Sequence, residues 1–155
     1  MQKRTFLVGI LVMTLVFGMV VVGCSNGDDE GQNILNEFNW SRAPLSSAAI
    51  SASGLTQAQF DQINTAAGGN LLGWEIDGSS LLIAWTERSL ANFNNVVSVI
   101  GEMPGRSGIG RYVEDGIHIV IGNNYMIEFF TSRTFMEDGY HFIPARTLFV
   151  DIRGN

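Results

Sequence analysis

A long apolar run at the N-terminus constrains this chain more than any other feature. After Lys3 and Arg4, residues 5–22 carry no charge and almost no polar side chain. A short positive segment followed by an apolar run is the pattern of a secretory signal. A run of this length could also just span a bilayer as a helix. In both cases the segment is removed or lies in a membrane, so the folded domain must be built from the residues that follow it.

The end of this run narrows the choice. Val21-Val22-Gly23-Cys24 resembles the lipobox of bacterial lipoproteins, in which an aliphatic residue, a small or aliphatic residue and Gly or Ala precede a Cys. In that family the Cys thiol receives a diacylglycerol, a dedicated peptidase cuts before the Cys, and the new amine is usually acylated. The resemblance covers residues 1–24 only and implies cleavage between Gly23 and Cys24, with lipidation of Cys24.

The alternative is a transmembrane anchor, in which a Cys at this point would be coincidence although the chain has no other. The lipoprotein interpretation implies export to the cell envelope and attachment to a membrane by the lipid on Cys24. Each buried acyl methylene contributes about 0.8 kcal/mol, so two or three chains hold a protein firmly. Ser25, the residue after the Cys, is compatible with sorting to the outer membrane in a Gram-negative lineage. Residues 24–32 are then the lipidated Cys and a flexible acidic tether.

The charge of the mature chain excludes one class of partner. The precursor has nine basic and 15 acidic side chains. Lys3 and Arg4 are lost with the signal, so seven arginines against 15 acids leave a net charge of −8 and no lysine. Such a surface repels phosphate backbones, and we therefore expect no nucleic-acid partner. It also gains nothing from anionic lipid, so the lipid on Cys24 must supply the membrane attachment.

The cysteine count excludes further chemistry. Because Cys24 is consumed by lipid, no disulfide, thiol nucleophile or thiolate metal site can form in the domain. Residues 33–155 have the length of one domain, which must rest on its apolar core.

Two helices are predicted from local signals. Thr56 followed by Gln59 forms a capping box ahead of residues 57–67, and Gly68-Gly69 supplies the stop. Ser89 can cap a second helix from Leu90 to about residue 100. No secondary structure is clearly predicted for residues 33–54. Apolar residues begin this segment, but Pro44 interrupts them and a run of small residues follows.

Strands are predicted in the remainder. A hairpin of 71–76 with 81–86 turns at Asp77-Gly78, and the apolar second strand is expected to be central. A C-terminal meander is predicted over residues 109–113, 117–121, 125–132, 134–136 paired with 140–143, and 146–152. The order indicates an α+β domain, in which two helices pack on one face of an antiparallel sheet of about five to seven strands.

Both histidines lie in an internal echo. Residues 112–119 and 135–142 each contain an apolar pair, Glu-Asp-Gly, an apolar residue, a His and another apolar residue. If the two hairpins pack side by side, His118 and His141 could share a face and bind a small ligand or, with a carboxylate, a divalent metal. The simpler interpretation is turn chemistry with each His on a solvated face, because the spacing fixes no third ligand.

Other motifs are weaker. The loop of residues 105–110 is glycine-rich but lacks the lysine of a phosphate loop, so a flexible connection is expected over an anion site at Arg106 and Arg111. No serine lies in a Gly-x-Ser-x-Gly elbow. The acid pairs Glu114-Asp115 and Glu137-Asp138 are expected in solvated turns, whereas acid–base catalysis needs unequal, partly buried environments.

One apolar surface is left open by the sequence. Phe129 and Phe130 are adjacent on a predicted strand and must face opposite sides. One of them is either exposed as a binding patch beside Met126 and Glu128, with His118 or Val120 on the next strand, or covered by residues 33–54.

The leading hypothesis is therefore a non-catalytic envelope lipoprotein that binds another protein or an envelope component. The alternative is a small-ligand or metal-binding lipoprotein that uses the face near His118 and His141. An envelope hydrolase whose site assembles in space is the third hypothesis. The sequence singles out no catalytic residue, no metal site with defined spacing and no cofactor, and it favours a protein that is not an enzyme.

Overall fold

The computed structural model describes residues 40–135 and 142–154. The cleavage site, Cys24, the tether, residues 136–141 and thus His141 lie outside the described residues. The described part contains three helices, α1 (Ser47–Ala52), α2 (Gln57–Ala66) and α3 (Leu90–Gly101), and eight strands, β1 (Gly73–Asp77), β2 (Ser80–Trp85), β3 (Gly108–Glu114), β4 (Ile117–Gly122), β5 (Tyr125–Phe130), β6 (Thr134–Phe135), β7 (Phe142–Ile143) and β8 (Thr147–Arg153). The predicted α+β class is confirmed.

Local chemistry sets the ends of the helices. The Thr56 hydroxyl accepts from the Gln59 amide at 3.2 Å, and the Thr56 amide donates to Gln59 Oε1 at 2.8 Å, which completes the predicted capping box. Ser89 and Asn92 form a second box at the start of α3. The short helix α1 lies in residues 33–54, where no element was predicted, and Ser46 caps it.

The main sheet has six antiparallel strands in the order β1-β2-β8-β5-β4-β3. The predicted meander is present as β3-β4-β5. The chain then makes a separate two-stranded sheet, β6-β7, and β8 returns to lie between β5 and β2. This central position suits β8, because Leu148, Val150 and Ile152 are buried on one face and Thr147 and Asp151 on the other.

All three helices contribute to the core on one face of the sheet. Ile50 of α1, Ile63 of α2 and Phe93 of α3 pack with buried strand residues such as Ile83 and Val150. These side chains are almost fully buried. Burial of each one stabilises the fold by roughly 1.5–3 kcal/mol, because its apolar surface is removed from water. The helices therefore fix one face of the sheet, which we call the helix face.

The opposite face, which we call the second face, is also covered. Ile117, Ile119 and Phe130 form a smaller buried cluster with Ile143 from β7. The Trp40 ring packs edge-on against Phe149 with 5.5 Å between ring centroids. The centre of the second face is therefore buried, whereas Ile121, Met126 and Phe149 are partly buried at its margin.

Arg106 joins three parts of the fold. Its guanidinium donates to the carbonyls of Ser53 at 3.0 Å, Asn124 at 2.8 Å and Arg153 at 3.2 Å. These carbonyls end α1, lie in the β4–β5 turn and end β8. Burial lowers the pKa of Arg106, and hydrogen bonds from a charged donor contribute roughly 1.5–3 kcal/mol each, so this side chain is a structural tie.

Candidate functional site: an open edge of the sheet

Strand β3 forms one edge of the main sheet. All seven of its residues are exposed, and it pairs with β4 on one side. In the described part of the chain no strand pairs with its other side. We call this free side of Gly108–Glu114 the open edge.

Exposed apolar side chains concentrate on this strand. Ile109 is 70% exposed, Val113 60% and Tyr112 40%. Within residues 40–135 and 142–154, the remaining exposed large apolar side chain is Leu90, at the start of α3. A row of unpaired backbone groups flanked by apolar side chains is a template for pairing with another strand.

The β4–β5 hairpin positions the start of β3. Gly122 pairs with Gly108, and the Tyr125 ring lies against both. A Cβ atom at Gly122 would come within 1.9 Å of Tyr125 Cε1, and one at Gly108 would come within 3.3 Å of the Tyr125 hydroxyl. The two glycines therefore leave room for a buried ring, and a register shift between Gly108 and Gly110 follows directly.

The strand presents different chemistry on its two sides. Arg111 and Val113 pair with Val120 and His118 and so share the helix face. Arg111 donates to Asn94 Oδ1 at 2.5 Å and its Cζ lies 5.3 Å from the centroid of Phe93. These contacts hold the guanidinium against α3, and Val113 is the exposed apolar residue on that side.

Tyr112 and Glu114 occupy the second-face side of β3. Partial burial, then the charge of Glu128, then that of Glu114, raise the pKa of the Tyr112 hydroxyl. Glu114 is exposed, so the second-face side of the open edge carries a carboxylate next to the Tyr112 phenol.

The opposite edge of the sheet, strand β1, is partly covered. Ser41 forms an isolated bridge with Trp74 on β1 through hydrogen bonds of 2.8 and 3.1 Å. The Trp74 indole N–H donates to the Ala43 carbonyl at 2.8 Å. The chain's own segment pairs with β1 at Trp74, whereas β3 has no such bridge among the described residues.

His118 does not stand on a solvated face. It is half-buried on the helix face of β4, with ring centroids 5.8 Å from Phe93 and 6.2 Å from Phe129. The prediction of a solvated His was wrong here, because α3 covers this end of the sheet. In the described ranges no group of three His, Cys, Asp or Glu side chains could hold a metal ion, and the pairing with His141 stays a prediction.

Of the two alternatives left open for Phe129 and Phe130, the exposed binding patch is wrong. Phe129 and Phe130 are each 3% exposed, because α3 packs on one face and the Ile143 cluster on the other. Met126 and Glu128 do share the face of Phe130, as the alternation predicts, but His118 and Val120 lie on the opposite face.

The two arginines of the proposed anion site do not converge on a ligand. Arg106 lines a cavity of about 270 Å³ together with Gln59 and Gly105, and backbone carbonyls bind its guanidinium nitrogens. Arg111 contacts α3 instead. Glu114 and Asp115 are exposed as predicted, while Glu137-Asp138 lies outside the described residues.

Two carboxyl groups meet on the second face. Glu128 Oε1 and Asp151 Oδ1 are buried and have no hydrogen-bond partner, while Asp151 Oδ2 accepts from Arg153 Nη2 at 2.9 Å and Nε at 3.2 Å. Burial, and then the charge of Asp151, raise the pKa of Glu128 to about 7. Perturbed carboxyls of this kind often mark functional sites, but Phe130 and Phe149 close this face by packing edge to face at 5.6 Å.

The sequence analysis predicted neither the open edge of β3 nor the buried carboxyl groups of Glu128 and Asp151. Single acids within apolar strands, as in YMIEFF and TLFVDIR, are a signal for the buried carboxyls. Ile109 and Val113 gave no comparable signal, because only the sheet order shows that their strand has no second neighbour.

No protein-family model, curated protein or solved structure matches this chain. No described helix is long and apolar enough to cross a membrane.

Proposed function

We propose that this chain is a lipid-anchored envelope lipoprotein whose domain binds another protein by strand addition along the open edge. The anchor is the lipid that the lipobox resemblance implies on Cys24, with residues 25–32 as the tether. The observation that carries the proposal is the concentration of exposed apolar side chains on an unpaired edge strand.

Strand addition fits the chemistry of this edge. The free N–H and C=O groups of β3 supply main-chain hydrogen bonds, and alternate side chains supply specificity. Natural proteins usually blunt such edges with bulges, charges or a covering segment. Here the register shift affects only the start of the strand, and Arg111 to Glu114 pair with β4 in regular register.

A protein partner accounts for the edge better than a small ligand does. Small-molecule sites are concave and enclose most of their ligand, whereas β3 is exposed along its whole length. An apolar edge strand kept exposed in a soluble domain is an aggregation liability, so its retention is best explained by a partner that covers it.

The test is capture from an envelope extract with residues 25–155 immobilised through a C-terminal tag. One bait has the native sequence and the other carries Ile109→Thr and Val113→Thr. Threonine keeps the strand propensity, but its hydroxyl is unfavourable to bury without a partner. We expect one protein to be recovered near stoichiometrically by the native bait and roughly tenfold less by the double variant.

Leu90→Gln is the matched control, because it removes an exposed apolar side chain from α3 rather than from the edge. The captured protein is then purified and titrated into the isotope-labelled domain, where β3 amide resonances must shift. Capture that is equal for both baits, or no capture at all, would contradict the proposal.

A further inference from the structure

We propose that the segment which pairs with β3 alternates apolar side chains with lysine or arginine. This inference rests on the proposed function and specifies the chemistry of the partner. It follows from the two sides of the open edge, which differ in polarity and charge.

The helix-face side selects an apolar residue. Val113 is 60% exposed there, and side chains directly opposite in paired strands lie about 4.5–5.5 Å apart at their Cβ atoms. The neighbouring Arg111 is already hydrogen-bonded to Asn94 and stacked on Phe93. A β-branched or aromatic residue opposite Val113 would remove both apolar surfaces from water.

The second-face side selects a cation. Glu114 is exposed at the end of β3, Tyr112 is two residues before it, and Asp115 follows in the turn. A lysine or arginine opposite Glu114 forms a cross-strand ion pair, which contributes roughly 0.2–1 kcal/mol. The Tyr112 ring can accept the same cation on its face.

A second copy of this chain fits the edge less well. Each mature copy carries a net charge of −8, so two copies repel each other. In an antiparallel pairing of two β3 strands that sets Ile109 opposite Val113, Arg111 falls directly opposite the Arg111 of the other copy. Like charges directly opposite are destabilising, whereas a basic segment is attracted by the whole domain.

Two synthetic hexapeptides test the inference, acetyl-Val-Lys-Val-Lys-Val-Lys-amide and the same peptide with Glu in place of Lys. Each is titrated into isotope-labelled residues 25–155, and β3 amide shifts report binding at the edge. We expect the lysine peptide to bind roughly tenfold more tightly at low salt. The difference should shrink as salt is raised, because these charges are exposed.

Charge variants separate pairing at the edge from general attraction. Glu114→Lys should reduce the preference for the lysine peptide severalfold, whereas Asp77→Lys, the same charge change on the partly covered strand β1, should leave more of it. If the two variants have equal effects, the placement of the cation is overturned.

The peptides also distinguish the two proposals. Equal β3 shifts with both peptides would overturn the charge preference and leave strand addition intact. No β3 shift with either peptide at millimolar concentration would overturn the inference and count against strand addition as well. Self-association of the domain through β3 without peptide would overturn the choice of a basic partner over a second copy.

Discussion

Glu128 is an acidic residue within the otherwise largely apolar strand β5. It lies between Ile127 and Phe129, which are buried on the helix face, and its own side chain points to the covered second face. Oε1 has no hydrogen-bond partner. A buried carboxyl that cannot be solvated favours its neutral form, and the nearby Asp151 adds to the effect. One residue therefore links the stability of the fold to pH.

The pH dependence has a definite sign. Because the pKa of folded Glu128 is raised from 4.5 to about 7, the folded state binds more protons than the unfolded state between these values. Its contribution to stability is full below pH 4.5, is lost as pH rises to 7, and is constant above that. Each pKa unit corresponds to about 1.4 kcal/mol, which gives roughly 3 kcal/mol in total.

We expect Glu128→Gln to remove most of this loss, because glutamine has nearly the same shape and no charge. Denaturant unfolding at pH 5 and pH 8 measures it. The native protein should lose more stability than the variant over that interval. Glu114→Gln, at an exposed position, is the control and should follow the native profile. Parallel profiles for the native protein and Glu128→Gln would show that Glu128 is not the group responsible.

At the scale of elements, the β4–β5 hairpin places the open edge. Tyr125 is 4% exposed, and its ring takes the space that a side chain at Gly122 would fill. The same ring reaches Gly108, where β3 begins. The exposed strand is therefore held to the core by a buried aromatic residue two strands away.

Gly122→Ala should destabilise the domain by about 1–3 kcal/mol, because the added methyl forces the Tyr125 ring out of its packed position. Gly110→Ala is the matched control on β3, since a Cβ there meets nothing within 4 Å. Thermal unfolding of both variants measures the difference. A Gly122→Ala domain as stable as the control would mean that the Tyr125 ring relaxes without cost.

At the scale of the whole molecule, the proposed lipid anchor and the proposed binding edge would act together. In the proposed arrangement, the lipid on Cys24 would hold the domain at a membrane, with the acidic residues 25–32 between the two. Tethering raises the local concentration of the domain near other envelope proteins, so an edge of modest affinity can be sufficient.

Intact mass spectrometry of the protein expressed in a bacterium tests the anchor. We expect the mature chain to begin at Cys24 and to carry acyl chains, because lipidation precedes cleavage in the lipoprotein family. Cys24→Ala should carry no fatty acid and should not be cut before residue 24, while the control Ser25→Ala should be processed normally. A native chain that retains residues 1–23 without lipid would establish the transmembrane alternative.

The sequence alone determined the parts of this protein that depend on short-range chemistry. Capping residues Thr56 and Ser89 set the starts of α2 and α3. The first hairpin turns at Gly78-Ser79, one residue after the predicted Asp77-Gly78, because Asp77 ends β1 and pairs with Ser80. Each predicted strand boundary in the main sheet lies within two residues of the observed one. These features are local, because a cap or a turn is satisfied by residues three or four positions away.

The tertiary structure alone decided which residues lie along the open edge. Strand β8 pairs with both β2 and β5 and so joins the two halves of the sheet, which leaves β1 and β3 as its edges. Which edge stays open depends on contacts such as that of Ser41 with Trp74, 33 positions apart in the sequence. Exposure of Ile109 and Val113, and burial of Phe129, follow from strand order and helix placement, which are long-range properties that no local pattern encodes.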